Sequence, residues 1–319
     1  MSQEIQIRPL EPGDLDGVLA VQREAMPHDP ISAARFTRQV LLDANFQPAG
    51  MPVAVAGDEV VGFCLSLARQ VPLENAPSDS ERGYITLLAV RPAWKRQGIG
   101  GKLLAEAETY LRSQSRSIVM VASYAPGYFI PGVDVNAYPG GLAFLKKAGY
   151  VEVYRPVAMQ ASLWNLPEPD WLADRARPFE VRPFEPALAL PLLEFTQAEF
   201  PGDWVRVVRE TAGAIMAGES STRLLTALDA GRVVGFAHFD KERFGPIGVA
   251  AAERGRGIGQ VLMFATLRAQ REAGYRSAWF LWSDDKTAER LYNAAGFRET
   301  RRFALMKKPL QGDRITRAT

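Results

Sequence analysis

Cysteine is almost missing from this chain. Among 319 residues there is one, Cys64, so no internal disulfide can form and a reducing compartment is its natural setting. It sits in the apolar run Val60-Val61-Gly62-Phe63-Cys64-Leu65, which reads as packing rather than as a nucleophile. Histidine is nearly as scarce. His28 and His238 lie far apart with no cysteine cluster near either, which leaves zinc without a ligand set. No apolar run approaches a membrane span, and Met1-Ser2-Gln3-Glu4-Ile5 lacks a basic segment followed by an apolar one; the expectation is a soluble, cytoplasmic protein. Neither charge sign dominates: 38 Lys and Arg against 36 Asp and Glu leave a net charge of +2, which gives nucleic acid no electrostatic footprint. Low-complexity segments are also lacking, and 47% hydrophobic with 23% charged residues is ordinary globular composition. At roughly 150 residues per domain, the length predicts two domains.

What the chain does have is a glycine-rich turn, twice. The first copy is the run Leu87-Leu88-Ala89-Val90 followed by Arg91-Pro92-Ala93-Trp94-Lys95-Arg96-Gln97-Gly98-Ile99-Gly100, with Ala148-Gly149-Tyr150 behind it. The second is Pro246-Ile247-Gly248-Val249, then Arg254-Gly255-Arg256-Gly257-Ile258-Gly259, with Ala295-Gly296-Phe297 behind. Each joins an apolar extended run to a helix whose first N–H groups lack intrahelical partners, which together make a receptor for phosphate oxygens. The expected ligand carries a pyrophosphate.

Spacing separates the phosphate-binding classes. A Walker loop ends in Gly-Lys-Ser/Thr, where these copies have Gly101-Lys102-Leu103 and Gln260-Val261-Leu262. A dinucleotide fingerprint places a third glycine near Leu103 and Leu262 for close helix packing, which neither leucine supplies. The turns resemble instead the Arg/Gln-x-x-Gly-x-Gly/Ala segment of the GCN5-related N-acetyltransferases (GNATs). Arg254, Gly257 and Gly259 fit that pattern fully, and in the first copy Lys95 stands where Arg or Gln is usual. The resemblance implies that acetyl-CoA is the cosubstrate, with no metal. Its pyrophosphate would lie on Lys95, Arg96, Gln97, Gly98, Ile99 and Gly100 and on Arg254, Gly255, Arg256, Gly257, Ile258 and Gly259. Its pantetheine would pair with the main chain of Leu88, Ala89 and Val90 and of Ile247, Gly248 and Val249.

The repeat extends beyond the turns. Ile7-Arg8-Pro9-Leu10-Glu11-Pro12 recurs as Val181-Arg182-Pro183-Phe184-Glu185-Pro186, and Val60-Val61-Gly62-Phe63 as Val233-Val234-Gly235-Phe236. The offset shrinks from 174 between Arg8 and Arg182 to 147 between Gly149 and Gly296, so the first half carries insertions, one between Ala68 and Arg82 and one between Tyr124 and Pro139. The expected organisation is α/β, two tandem GNAT domains, each a mixed, mostly antiparallel sheet flanked by helices: residues 1–164 with enlarged loops, a linker over 165–178 where prolines break both periodicities, and residues 179–319. Leu103, Leu104, Ala107, Tyr110 and Leu111 share one face of the helix after the first turn. The aromatic, proline-stiffened insertion Tyr124 to Asp134 reads either as a pocket wall or as packing between domains.

Acetyl transfer needs a deprotonated amine, donors for the carbonyl oxyanion and a proton for the departing thiolate. The family resemblance makes Tyr292, four residues before Gly296, the general acid. The same count from Gly149 gives Leu145, which cannot donate a proton. The competing reading of Tyr292 is a core aromatic. No base is assigned; His238, Asp240 and Glu242 alternate ahead of the second turn, either on one strand face or in a solvated hairpin. The reading is an N-acetyltransferase acting on a primary amine of a small molecule, with chemistry in the C-terminal half and the chain a monomer with an internal pseudo-dimer or a homodimer. Its rivals are a non-catalytic acyl-CoA sensor and the same enzyme with its active site in the N-terminal half.

Overall fold

A computed structural model describes residues 4–310. The first sequence half contains β1 (Ile5–Pro9), α1 (Leu15–Ala25), α2 (Ala33–Phe36), β2 (Pro52–Ala56), β3 (Glu59–Ala68), β4 (Arg82–Val90), α3 (Ile99–Ser113), β5 (Ile118–Val121), β6 (Val133–Asp134), α4 (Pro139–Lys147), β7 (Val151–Tyr154) and β8 (Val157–Ser162). The second contains α5 (Trp171–Ala176), β9 (Glu180–Pro183), α6 (Ala189–Glu199), α7 (Asp203–Met216), β10 (Thr222–Asp229), β11 (Arg232–Asp240), β12 (Arg243–Val249), α8 (Ile258–Glu272), β13 (Ser277–Ser283), α9 (Asp285–Thr287) and β14 (Arg298–Pro309). The α/β class and the mixed sheets follow the sequence expectation.

Two compact units result, and they do not coincide with the sequence halves. The first comprises Met1–Pro72, Ser78–Arg155 and Phe303–Thr319; the second comprises Leu73–Pro77 and Pro156–Arg302. In the first unit β1, β2, β3 and β4 pair antiparallel in order, β4 pairs parallel with β5, and the end of β14 closes the sheet against β5, with Met306 opposite Val121. In the second unit β9, β10, β11 and β12 repeat that order, β12 meets β13 in parallel, and β8 closes against β13, with Phe280 opposite Met159. Each half's closing strand therefore completes the other unit's sheet, and the boundaries 1–164 and 179–319 do not delimit these units.

The cause is local. Only Arg155-Pro156 separates β7 from β8, and neither residue suits a two-residue reversal: type I′ needs positive φ at both positions, which proline cannot adopt, and type II′ favours glycine where Arg155 stands. β7 pairs with the end of β14 in the first unit, Val151 opposite Lys307, and β8 with the start of β14 in the second, Gln160 opposite Arg298. β14 likewise lacks a turn over its 12 residues.

Cores form as the helical periods require. On α3, Ile99, Leu103, Leu104, Ala107 and Leu111 are buried against Ile85, Val119 and Met306. On α8, Ile258, Val261, Leu262, Met263, Phe264 and Leu267 are buried. Tyr124 and Phe129 of the first-half insertion are buried with Phe36, Phe63 and Tyr84 inside the first unit, so this insertion packs its own unit's core. Tyr124 bonds Asp43 and Asn45, and Arg69 stacks over its ring at 4.8 Å. Residues 165–178 contain the short helix α5, whose Leu172 is buried and whose Trp171 meets Phe264 edge-on at 5.8 Å. Cys64 is fully buried and its thiol is pushed far up by desolvation, as befits packing.

Candidate active site

The two turns have one backbone. Lys95 and Arg254 are extended, at φ −66°, ψ 156° and φ −66°, ψ 150°. Arg96 and Gly255 follow at φ 68° and 89°, then Gly98 and Gly257 at φ 83° and 88°. Gly98 and Gly257 are the N-caps of α3 and α8, and neither helix start is capped by a side chain. The left-handed conformation explains the glycines, since a Cβ there costs roughly 1–2 kcal/mol; Arg96 carries that strain in the first copy. Gly100 and Gly259 lie just inside the helices, where a Cβ would stand 3.8 Å from Val90 and 3.7 Å from Val249 respectively. Both helix starts thus leave N–H groups without a side-chain cap at a left-handed glycine, the arrangement that binds anions.

Each strand leading into a turn parts from its parallel neighbour. β4 pairs with β5 only from Arg82 to Ile85, and Ala122 closes the ladder on the Ile85 carbonyl at 2.7 Å. β12 meets β13 at Arg243 opposite Trp279 and no further. Leu88, Ala89 and Val90 keep their partners on β3, and Ile247, Gly248 and Val249 theirs on β11, which leaves their other edge without a ladder among the described residues. An extended amide-bearing ligand can pair with such an edge.

The helix following each splay returns to the turn. Phe144 of α4 reaches Gly100, where a Cβ would meet it at 3.7 Å, and Leu291 reaches Gly259 at 3.9 Å. Phe144 and Leu291 are separated by the same 147 as Gly149 and Gly296, so Leu145 and Tyr292 are equivalent in space as well as in sequence. Leu145 is a core residue. Tyr292 ends a π-helical turn over residues 288–292, a local widening that recurs at functional sites. Its ring packs at 4.4 Å from Phe280 and 5.5 Å from Phe297, it is 7% exposed, and its hydroxyl bonds no described residue. Desolvation raises its pKa, with the Asp284 charge adding to the effect, so the phenol holds its proton throughout the neutral range.

Models of one family match both halves: the acetyltransferase (GNAT) family over residues 19–125 and the acetyltransferase (GNAT) domain over residues 220–299. The chain belongs to the GNAT acetyltransferases. It is 28% identical over 326 residues to the mycothiol acetyltransferase of Thermobispora bispora, covering 93% of this chain and 96% of that one. Among solved structures, this tandem GNAT chain is similar to a GCN5-related N-acetyltransferase from Sphaerobacter thermophilus, with a TM-score of 0.73, 18% identity and 96% of each chain covered. It is also similar to a tandem GNAT protein from the clavulanic acid biosynthesis pathway, with a TM-score of 0.63, 17% identity and 98% and 100% covered. A glucosamine N-acetyltransferase region of a fungal multi-domain protein gives a TM-score of 0.81 at 20% identity; 97% of this chain matches 38% of that one. These structural likenesses establish the GNAT fold.

The remaining sequence-predicted residues divide by the company they keep. Around the first GNAT turn Lys95, Arg96 and Lys102 form no ion pair among the described residues, and Gln97 reaches only the Ala93 carbonyl. Around the second, Arg254 touches the Val249 carbonyl at 3.4 Å, while Arg256 is committed to Asp229 at 2.7 Å and to Glu253. His238 is held on both sides: Nδ1–H donates to the Gly245 carbonyl at 3.0 Å, and Nε2 lies 3.1 Å from Thr222 Oγ1. Burial lowers its pKa, which marks a neutral ring fastened across a strand irregularity. Asp240 accepts from Ser221. His238 and Asp240 both lie on β11, whereas Glu242 falls in the turn before β12.

Three features escape sequence reasoning. Phe200, at the end of α6, stands where a side chain on Gly248 would be, 2.7 Å from the ideal Cβ. Arg175 of α5 lies against Gly257. Glu108 is buried on α3 and bonded by Tyr150 at 3.0 Å and Lys308 at 2.8 Å. None belongs to a local motif, and each partner is supplied by chain distant in sequence.

Proposed function

We propose that the chain transfers an acetyl group from acetyl-CoA to the primary amine of a small molecule, with the chemistry in the C-terminal half. The observation that carries this reading is Tyr292: a protonated phenol beside Leu291, which touches the start of α8, in a half whose β12 main chain is free along one edge among the described residues. The N–H groups at the start of α8 hold the pyrophosphate, the free edge of Ile247 to Val249 aligns the pantetheine amides, and Tyr292 Oη supplies the proton to the leaving sulfur. A thiol of reference pKa about 8.5 is a fair leaving group, so the phenol assists rather than enables the step. The first half keeps the turn, the helix start and the free edge but has Leu145 in place of the phenol; it binds acyl-CoA without acid catalysis. Similarity along 93% of the chain to a mycothiol acetyltransferase supports a small-molecule acceptor.

The test is CoA release from acetyl-CoA across a panel of amino sugars, polyamines, amino acids and a lysine peptide. Turnover with a small amine supports the reading. Stoichiometric acetyl-CoA binding with no release across the panel favours the sensor reading, and release with the peptide alone would exclude the small-molecule acceptor.

A further inference from the structure

The second turn carries a cation that the first does not, and it comes from outside the turn. A side chain on Gly257 would run into Cγ and Cδ of Arg175, whereas nothing lies within 4 Å of the corresponding point on Gly98. The Arg175 guanidinium donates to Gln260 Oε1 in the first turn of α8 and stands 4.5 Å from the centroid of Trp171. Trp171 in turn packs on Phe264, and Leu172 is buried, so α5 is anchored and the arginine is held in place. No carboxylate pairs with Arg175 among the described residues. A guanidinium at the positive end of a 15-residue helix with no counter-charge is electrostatically unfavourable by itself. Arg256, the residue immediately before Gly257, is by contrast already neutralised by Asp229 and Glu253. Cation, helix start and left-handed turn together suit an anion, and arginine matches phosphate with two parallel N–H···O bonds.

We propose that Arg175, contributed by the linker helix, is a phosphate-binding residue of the C-terminal turn and engages the pyrophosphate of the cosubstrate. This rests on the acyl-CoA reading above. The guanidinium exchanges the Gln260 amide oxygen for phosphate oxygens, and its aliphatic stem remains on Gly257 and shields the turn from water.

Calorimetric titration of the full chain with CoA, and separately with dephospho-CoA, tests this on the wild type, Arg175→Gln and Arg175→Lys. Arg175→Gln is expected to weaken one class of site about tenfold or more, by the worth of a charged hydrogen bond. The loss should be equal for both ligands, since both carry the pyrophosphate, and Arg175→Lys should recover part of it. Melting of the ligand-free protein should move little, because the side chain is exposed and the loss of its contacts with Gln260 and Trp171 is offset by removing a cation from the positive end of α8. Unchanged affinity in Arg175→Gln overturns the proposal, and so does tighter binding, which would make the arginine a plug. A loss confined to CoA overturns the assignment to the pyrophosphate. Failure of the wild type to bind either ligand would instead bring down the acyl-CoA reading itself.

Discussion

The two turns match in backbone conformation at each equivalent position, yet they have opposite surroundings. The first is open at Gly98 and ringed by Lys95, Arg96 and Lys102, which have no ion-pair partner among the described residues, and it is followed by Leu145. The second has Arg256 paired with Asp229 and Glu253 and Arg254 on the Val249 carbonyl, has Arg175 of the linker helix against it, and is followed by Tyr292. The comparison teaches that the backbone cradle and the proton donor are separable parts: the cradle needs only glycines and a helix start, whereas acid chemistry needs one hydroxyl at one position. On the proposed reading, one half has the binding part without the chemical part.

The largest effect expected concerns which residues make a unit. A fragment from Asn165 to Thr319 contains the whole second repeat but lacks β8, whose Val157, Met159 and Ala161 are buried in the second unit's core. It should be insoluble or molten, leaving β13 without its antiparallel neighbour. A fragment from Arg155 to Arg302 keeps β8 and should fold. Soluble expression, circular dichroism and gel filtration decide, and cooperative unfolding of the fragment that lacks β8 would show that the second half closes its own sheet.

Next in size is Tyr292→Phe, which keeps the ring among Phe244, Phe280 and Phe297 and removes only the hydroxyl. General acid catalysis contributes ~10²- to 10⁴-fold, so kcat should fall near the lower end of that range while the affinity for acetyl-CoA holds. Steady-state kinetics with calorimetry separates the two. Wild-type kcat in this variant would move the chemistry away from Tyr292. The matching change in the first half, Leu145→Ala, touches a residue 5% exposed and should cost about 2–5 kcal/mol of stability, read by denaturant melts, with kcat of the folded protein spared. Loss of kcat there would place the active site in the first half.

How much of this was legible in the sequence depends on range. The turns, their helices and the two equivalent positions follow from local pattern, because φ at Gly98 and Gly257 and the burial of Leu103 or Leu262 are decided within a few residues. The splay of β4 from β5 is implied by the family resemblance alone, since ladder length between parallel strands has no local signature. The exchange of closing strands did leave a trace, the absence of a turn at Arg155-Pro156, but a missing turn says that the chain continues and not which sheet receives it. Arg175 had no trace at all: a linker arginine becomes part of a turn only through the packing of Trp171 and Leu172.

The smallest effect sharpens the comparison at the strand before each turn. His238 and Leu65 stand at the same offset of 173 as Gly235 and Gly62, and both strands shift register at this point. Leucine there is fully buried, while histidine fastens the Gly245 carbonyl from a site that lowers its pKa by burial. A pKa lower in the folded than in the unfolded chain means that the unfolded chain binds more protons below about pH 6.5, so stability falls as the pH drops through that region. His238→Leu should therefore lose a little stability at pH 7.5, where the hydrogen bond is removed, and lose less than the wild type on going to pH 5.5. Thermal melts at the two pH values measure the difference. Carboxylates held below their usual range, such as Asp14 beside Arg8, act only at lower pH, which leaves this window to histidine. A variant whose acid-side loss equals that of the wild type would show that the buried ring takes up its proton without cost.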